Sequence, residues 1–133
     1  MEDAKKRELA LMAAKIRKTA LQTIQAAGSG HIGGSFSIAD ILSVLYFDKM
    51  KLDPKDPKSP DRDRLVLSKG HCSPALYATL ALKGFFPVEH LSTFRTLESD
   101  LSGHVEIHVP GVDMSSGSLG QGLSVALGMA MYA

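Results

Sequence analysis

One stretch, residues 64–84, constrains the fold more than any other part of this chain. The apolar run at 65–67 is typical of a short strand buried on both faces. Gly70 then permits a sharp turn, and Ser-Pro at 73–74 supplies a helix N-cap followed by proline at the first helical position. Gly84 stands where a C-terminal cap belongs. The stretch therefore predicts a strand, a tight turn and a helix in succession.

His71 lies in this turn, at the carboxyl end of the predicted strand. In open α/β sheets that edge is where ligands bind. The alternative is a histidine that only caps the turn. We expect an α/β fold, with a parallel sheet flanked by helices, and a ligand site beside His71.

Apolar periodicity predicts two helices before this unit. From Asp3 to Ala27 apolar residues recur at helical spacing, and most basic residues fall off that stripe. Ser37 and Asp40 form a pair like a capping box, which predicts a buried helix over Ile38–Lys49. The glycine-rich residues before Ser37 are interpreted as a loop.

The second half of the chain is less regular. A short helix is predicted after Pro87, a long loop over residues 99–122, and a final helix over Leu119–Ala133 that is apolar on all sides. The predicted apolar side of the short helix consists of Leu91, Phe94 and Leu97. Because an apolar helix must be buried, we expect residues 1–133 to be part of a larger domain or to be covered by another chain.

Composition argues against several classes of function. Fifteen basic residues nearly balance fourteen acidic ones, so we expect neither a nucleic-acid nor a membrane surface. The N-terminus lacks the apolar core of a signal peptide. The single cysteine, Cys72, cannot form an internal disulfide, which fits a reducing compartment and a cytoplasmic location.

Three of the five histidines share one local context. His31, His71 and His104 each follow a glycine in a predicted loop. Together they indicate a site built from convergent loops, although any one of them alone would be weak evidence. Imidazole suits such a site because it donates, accepts or carries charge near neutral pH.

The glycine-rich segment Gly117–Gly122 is a candidate anion site. It would expose backbone N–H groups at the N-terminus of the final helix, where the helix dipole favours negative charge. Its order, G-x-x-G-x-G, matches neither the dinucleotide fingerprint nor the Walker P-loop. A plain turn is the alternative.

Two rival constellations are present in the sequence. On a strand, His104, Glu106 and His108 would share one face and could ligate zinc, but a surface strand ended by Pro110 is the commoner meaning of such a pattern. Cys72 follows a histidine directly. Neighbours in an extended segment point apart, so a Cys–His nucleophilic pair is not expected.

Three segments together resemble transketolase, a thiamine-diphosphate enzyme that moves two-carbon ketol units between sugars. They are SGHIGG at 29–34, DRLVLSKGH at 63–71 and GSLGQG at 117–122. The resemblance covers the chain from about Leu9 onward and is greatest to the separate N-terminal subunit of split transketolases. It implies that residues 1–133 are a partial pyrophosphate-binding domain, the first portion of a thiamine-diphosphate-binding fold.

The resemblance also implies roles for single residues. His31 matches a histidine that lines the substrate channel and assists proton transfer, and His104 matches one that contacts the bound two-carbon unit. These two are the implied catalytic residues. The implied cofactor-binding residues are His71, Gly117, Ser118 and Leu119.

The chain departs from the family pattern in two ways. Ile32 and Val105 stand where the family usually has proline, so we expect looser loops there. The family's Gly-Asp-Gly segment and downstream asparagine, which bind Mg²⁺, are not in this sequence, so no metal ligand is assigned here and the ligands are expected outside the chain.

The resemblance implies thiamine diphosphate and Mg²⁺ as cofactors, sugar phosphates as substrates and a homo- or hetero-oligomer. The expected partner is a C-terminal transketolase subunit or domain that supplies the glutamate which activates the cofactor. Alternatives are another enzyme of the superfamily, such as deoxyxylulose-phosphate synthase, or a truncated chain that only binds a partner. The continuation at 73–77, SPALY, is more like transketolase.

Overall fold

The part of the chain described here, residues 2–132 of a computed structural model, consists of helices and loops. The α-helices are α1 (Asp3–Ala27), α2 (Ile32–Val44), α3 (Ser73–Lys83) and α4 (Gly122–Tyr132). A π-helical turn follows α2 at Leu45–Lys49, and 3₁₀ turns lie at Gly70–Cys72 and Val88–Thr93. No helix in this part of the chain combines the length and apolar character needed to cross a membrane.

Helix α3 forms the centre of the fold, because every residue from Ser73 to Ala81 is buried. Both α1 and α2 pack against it. Its predicted end is confirmed, because Gly84 ends the helix in the left-handed conformation, with φ 101°. Pro74 lies in the first turn as predicted, but Ser73 is not the N-cap: the helix begins at Ser73 after Cys72, and the Ser73 hydroxyl donates to the carbonyl of Gly103 instead. The core contains Leu76, Tyr77 and Leu80 of this helix, together with Ile16, Leu42, Tyr46, Phe94, Leu101 and Val105 from other segments.

Helix α1 has the bounds that its periodicity predicts. Its buried face carries Leu9, Ala13, Ile16, Ala20 and Ile24 at helical spacing. At its end Gly28 adopts the left-handed conformation, and its N–H donates to the carbonyl of residue 25.

The predicted parallel sheet is not confirmed, since residues 2–132 contain no strand. The apolar run at 65–67 crosses the fold as irregular backbone whose polar groups bind side chains. The N–H of Leu65 donates to Asp113 Oδ2 at 2.8 Å, and the carbonyl of Leu67 accepts from Ser116 Oγ at 2.7 Å. Because side chains occupy these groups, the run is partly buried without pairing to a neighbouring strand.

The predicted start of the second helix is wrong. Helix α2 begins at Ile32, so Gly33 and Gly34 are helical, and Ser37 Oγ donates to the carbonyl of Gly34 at 2.9 Å. Packing explains the glycine: a Cβ at Gly34 would lie 2.5 Å from Cys72 Sγ. Glycine here permits close approach of two segments rather than a flexible loop.

The short helix after Pro87 is present as the 3₁₀ turn, but its predicted apolar side is only partly correct. Leu91 and Phe94 are buried, whereas Leu97 is fully exposed. The reason is that the turn ends at Thr93 and Arg95 then adopts a left-handed backbone, with φ 65°. Leu97 therefore does not lie on the same side of a helix as Leu91 and Phe94.

Helix α4 begins at Gly122 rather than at Leu119, and it presents apolar side chains outward. The large apolar residues that it exposes are Leu123, Leu127, Met131 and Tyr132. The sequence predicts that this helix is buried by the rest of a larger domain or by another chain. Within residues 2–132 nothing covers these four side chains. Ala133, the predicted end, lies outside the described residues.

We expect a buried ion pair to carry much of the stability of the irregular segment. Arg62 pairs with Asp113, and their side chains are 8% and 2% exposed. Asp113→Asn should lower the free energy of unfolding by about 3–5 kcal/mol, because it leaves the guanidinium buried without its counter-charge. Urea unfolding followed by circular dichroism measures this.

The matched control is Asp40→Asn. Asp40 pairs with Arg17, and its side chain is 68% exposed, so the expected loss is only about 0–1 kcal/mol. Equal losses in the two variants would contradict the role given to the buried pair.

Candidate active site

The loops that carry His31 and His71 meet at one surface. Their imidazole centroids are 4.9 Å apart and their planes are inclined by 62°, an edge-to-face contact. His31 immediately precedes α2 in extended conformation, and His71 lies in the 3₁₀ turn that leads into α3. His31 is exposed and His71 half-buried, so both remain accessible to a ligand.

Lys69 ties the His71 turn to α2. Its Nζ donates to the carbonyl of Gly34 and to Ser37 Oγ, both at 2.9 Å. The missing side chain of Gly34 leaves room for the turn, because a Cβ there would also lie 3.4 Å from His71 Nε2. The first turn of α2 and the His71 turn are thus held as one unit.

The backbone of the His104 loop is fixed by α3 and by the His71 turn. Tyr77 donates its hydroxyl to the carbonyl of His104 at 2.9 Å. The N–H of Val105 donates to the carbonyl of Gly70 at 3.2 Å. A proline at this position would lack that N–H, so Val105 forms a hydrogen bond that proline could not form. The expected looseness of this loop and of the one at Ile32 stays a prediction.

Residues 117–119 lie between two positions, 116 and 120, that are hydrogen-bonded to the segment at 67–68. On one side Ser116 Oγ donates to the carbonyl of Leu67 at 2.7 Å; on the other the N–H of Gly120 donates to the carbonyl of Ser68 at 3.2 Å. The three residues between are exposed, and within residues 2–132 their N–H groups have no protein acceptor. A Cβ on the first would meet nothing within 4 Å. This arrangement suits an anion, which would accept from these N–H groups.

The electrostatics of the cluster favour a neutral imidazole at His71. Partial burial lowers the pKa of His71 below its usual value, and the charges of His31, His104 and Lys69 lower it further. The backbone bond from Val105 to Gly70 also places the His104 loop against the His71 turn.

The zinc alternative is not assembled. Glu106 accepts from Ser115 Oγ at 3.0 Å, and His108 Nε2 donates to the carbonyl of Asp100 at 2.9 Å. In the described range 2–132, no three His, Cys, Asp or Glu side chains are gathered to hold a metal ion. Cys72 is buried against α2, and burial raises the pKa of its thiol, which does not suit a nucleophile.

Sequence reasoning missed three residues that shape this site: Lys69, Tyr77 and Arg95. Tyr77 could have been found, because a tyrosine in a mostly apolar helix that is expected to be buried needs a partner for its hydroxyl. Arg95 Nη1 donates to Ser29 Oγ at 2.9 Å, two residues before His31. No pattern in the sequence marks Arg95, since its left-handed backbone is not at a glycine.

We expect Gly70→Ala to separate the His71 turn from the loop at 116. A Cβ at Gly70 would lie 2.1 Å from the backbone carbonyl oxygen of Ser116, which cannot rotate away. The variant should lose about 1–3 kcal/mol in the free energy of unfolding and shift the amide resonances of residues 117–119. In Gly33→Ala, whose Cβ meets nothing within 4 Å, stability should stay equal or rise by up to about 1 kcal/mol. Wild-type stability of Gly70→Ala would contradict this packing.

The pKa of His71 gives a second test. Because its folded-state value is lowered, the unfolded chain binds the proton more readily, and stability should fall as pH drops through about 6.5, the unfolded value. His31→Asn removes a like charge and opens the site, so it should raise the pKa of His71, measured by NMR titration of the imidazole Cε1–H resonance. A lower or unchanged pKa in that variant would exclude the proposed coupling.

Comparison with known proteins adds to this geometry. The family described as "Transketolase, thiamine diphosphate binding domain" matches residues 9–133. The 6-deoxy-6-sulfo-D-fructose transketolase subunit SqwG of Clostridium sp. (strain MSTE9) is 55% identical over 117 residues, which are 87% of this chain and 42% of that protein. One subunit of the apulose-4-phosphate transketolase of Phocaeicola vulgatus is 49% identical over 125 residues, 94% of this chain and 44% of that protein.

Solved structures of transketolases are also similar to this chain. Transketolase from Leishmania mexicana superposes with a TM-score of 0.88 at 38% sequence identity, over 92% of this chain and 19% of that one. The chain thus spans less than half the length of the relatives and solved structures that it matches.

Proposed function

Because the chain belongs to the transketolase thiamine-diphosphate-binding domain family, we propose that it contributes to an enzyme that transfers a two-carbon ketol unit from a ketose phosphate to an aldose phosphate. Residues 1–133 then act as part of the pyrophosphate-binding domain. The remaining parts of the active site come from a C-terminal transketolase subunit or domain in a homo- or hetero-oligomer. Two relatives named as subunits support that division.

The observation that carries this proposal is that the His31, His71 and His104 loops meet near residues 117–119, whose N–H groups have no acceptor within residues 2–132. His71 and the backbone at Gly117, Ser118 and Leu119 would hold the diphosphate, with Mg²⁺ bound by ligands outside this chain. The fit rests on the exposed N–H groups, which have no acceptor within residues 2–132, and on the open space at Gly117. Thiamine diphosphate, when bound, supplies carbanion stabilisation.

His31 and His104 would handle protons on the sugar. Both residues are exposed, and the His31 ring lies against that of His71, so imidazole nitrogens there can donate to or accept from a substrate hydroxyl. The matched relatives are transketolases or their subunits, which favours ketol transfer over deoxyxylulose-phosphate synthesis. The lone cysteine, Cys72, is free and buried, which fits our proposal of a cytoplasmic setting.

The test is reconstitution of ketol transfer from this chain, a C-terminal transketolase subunit, thiamine diphosphate and Mg²⁺. His71→Ala should weaken cofactor binding by about 1.5–3 kcal/mol, and saturating cofactor should restore much of the rate. His104→Ala should lower kcat by about 10²-fold or more even at saturating cofactor. His31→Ala should act like His104→Ala but less strongly, because water can substitute.

His108→Ala is the control. Its imidazole binds the carbonyl of Asp100, away from the cluster, so kcat should not change. If no partner subunit yields ketol transfer, the proposed function is wrong. If His71→Ala stays inactive at high cofactor, the assigned roles are wrong.

A further inference from the structure

We propose that Arg95 is a positioning residue that fixes the distance between the His31 and His104 loops. Its effect on turnover rests on the proposed function. Its effect on the two loops is a property of this chain and can be measured without activity.

The side chain of Arg95 contacts both loops at once. Its Nη1 donates to Ser29 Oγ at 2.9 Å, two residues before His31. Its guanidinium also packs on Gly103, where a Cβ would lie 2.6 Å from Arg95 Nε, and Gly103 directly precedes His104. One planar group therefore bridges two loops that are far apart in sequence.

The buried ring of Phe94 supports this bridge. The guanidinium carbon lies 5.9 Å from the ring centroid, within the range of a cation–π contact. Phe94 is 2% exposed and meets the Tyr77 ring edge-on, with centroids 6.3 Å apart. Arginine suits this place better than lysine, because its flat fork can lie on a ring and donate sideways in a fixed direction.

The backbone of Arg95 supplies independent support. Within residues 2–132 it is the one residue other than glycine with a positive φ, 65°. Glycine or asparagine would adopt this conformation with less strain. The N–H of Arg95 also donates to the carbonyl of Leu101 at 2.9 Å, which closes the intervening loop. An arginine in a conformation that disfavours it indicates that its side chain is what the position requires.

The decisive experiment uses NMR of the full 133-residue chain, with the Cε1–H resonances of His31 and His104 as probes. Arg95→Asn removes the guanidinium while tolerating the left-handed backbone, and it should shift both resonances. Ser29→Ala removes only the acceptor and should shift that of His31. Combining the two changes should move His31 no further than Arg95→Asn alone, since both break one bridge.

Arg17→Gln serves as the control, because Arg17 pairs with Asp40 on the outer face of α1 and α2, and it should shift neither resonance. Should Arg95→Asn fail to fold, Arg95→Lys keeps the charge without the fork and is expected to shift both resonances. The proposal is overturned if the shifts in the folded Arg95 variant stay within residues 94–101, or if Ser29→Ala leaves His31 unchanged.

In the reconstituted enzyme, Arg95→Asn should lower kcat by about 10- to 100-fold, with cofactor affinity unchanged, because misplaced groups slow the chemical step without touching the diphosphate. An unchanged kcat, or lost cofactor affinity, would contradict the positioning role. If even the wild-type mixture shows no ketol transfer, the proposed function fails, while the NMR result still decides whether Arg95 links the loops.

Discussion

The complete burial of α3 is the constraint on which the rest of the structure depends. A buried hydroxyl without a partner costs about 1–3 kcal/mol, so those on this helix must find acceptors. Ser73 donates to the carbonyl of Gly103 and Tyr77 to that of His104, both at 2.9 Å. The same helix begins immediately after the His71 turn. Satisfying its own polar groups thus positions two of the three histidines of the site.

The features that could be predicted from the sequence are those that depend on local patterns of residues. The bounds of α1 and α3 follow from periodicity and capping residues, and a shared Gly-His context anticipated that His31 and His71 lie together. The irregular backbone at 65–67, where a strand was predicted, could not be foreseen from local patterns. This run binds the side chains of Asp113 and Ser116, and no local pattern connects those residues to it. The start of α2 was missed because Gly33 and Gly34 were interpreted as part of a loop, whereas Gly34 is a helical residue that packs closely on Cys72.

The site combines rigid supports with exposed working groups. Lys69 and the Gly70 backbone hold the His71 turn from two sides, while the imidazoles of His31 and His104 remain at the surface. Partial burial lowers the pKa of His71, and repulsion from the charges of His31, His104 and Lys69 lowers it further, so His71 does not take up a proton easily. A group held neutral in this way can donate a hydrogen bond to one partner and accept one from another. That is the versatility that ligand recognition and proton transfer both use.

The hydrogen bond between the N–H of Val105 and the carbonyl of Gly70 joins the backbone of the His104 loop to that of the His71 turn. A change to proline at Val105 removes the only donor that the residue's backbone has, and the carbonyl of Gly70 then keeps only the N–H of Ser73 as its donor. A lineage that exchanges valine for proline here, or the reverse, therefore loses or gains the direct backbone link between the two histidine loops. The tolerated substitutions at one histidine loop are thus set partly by the other.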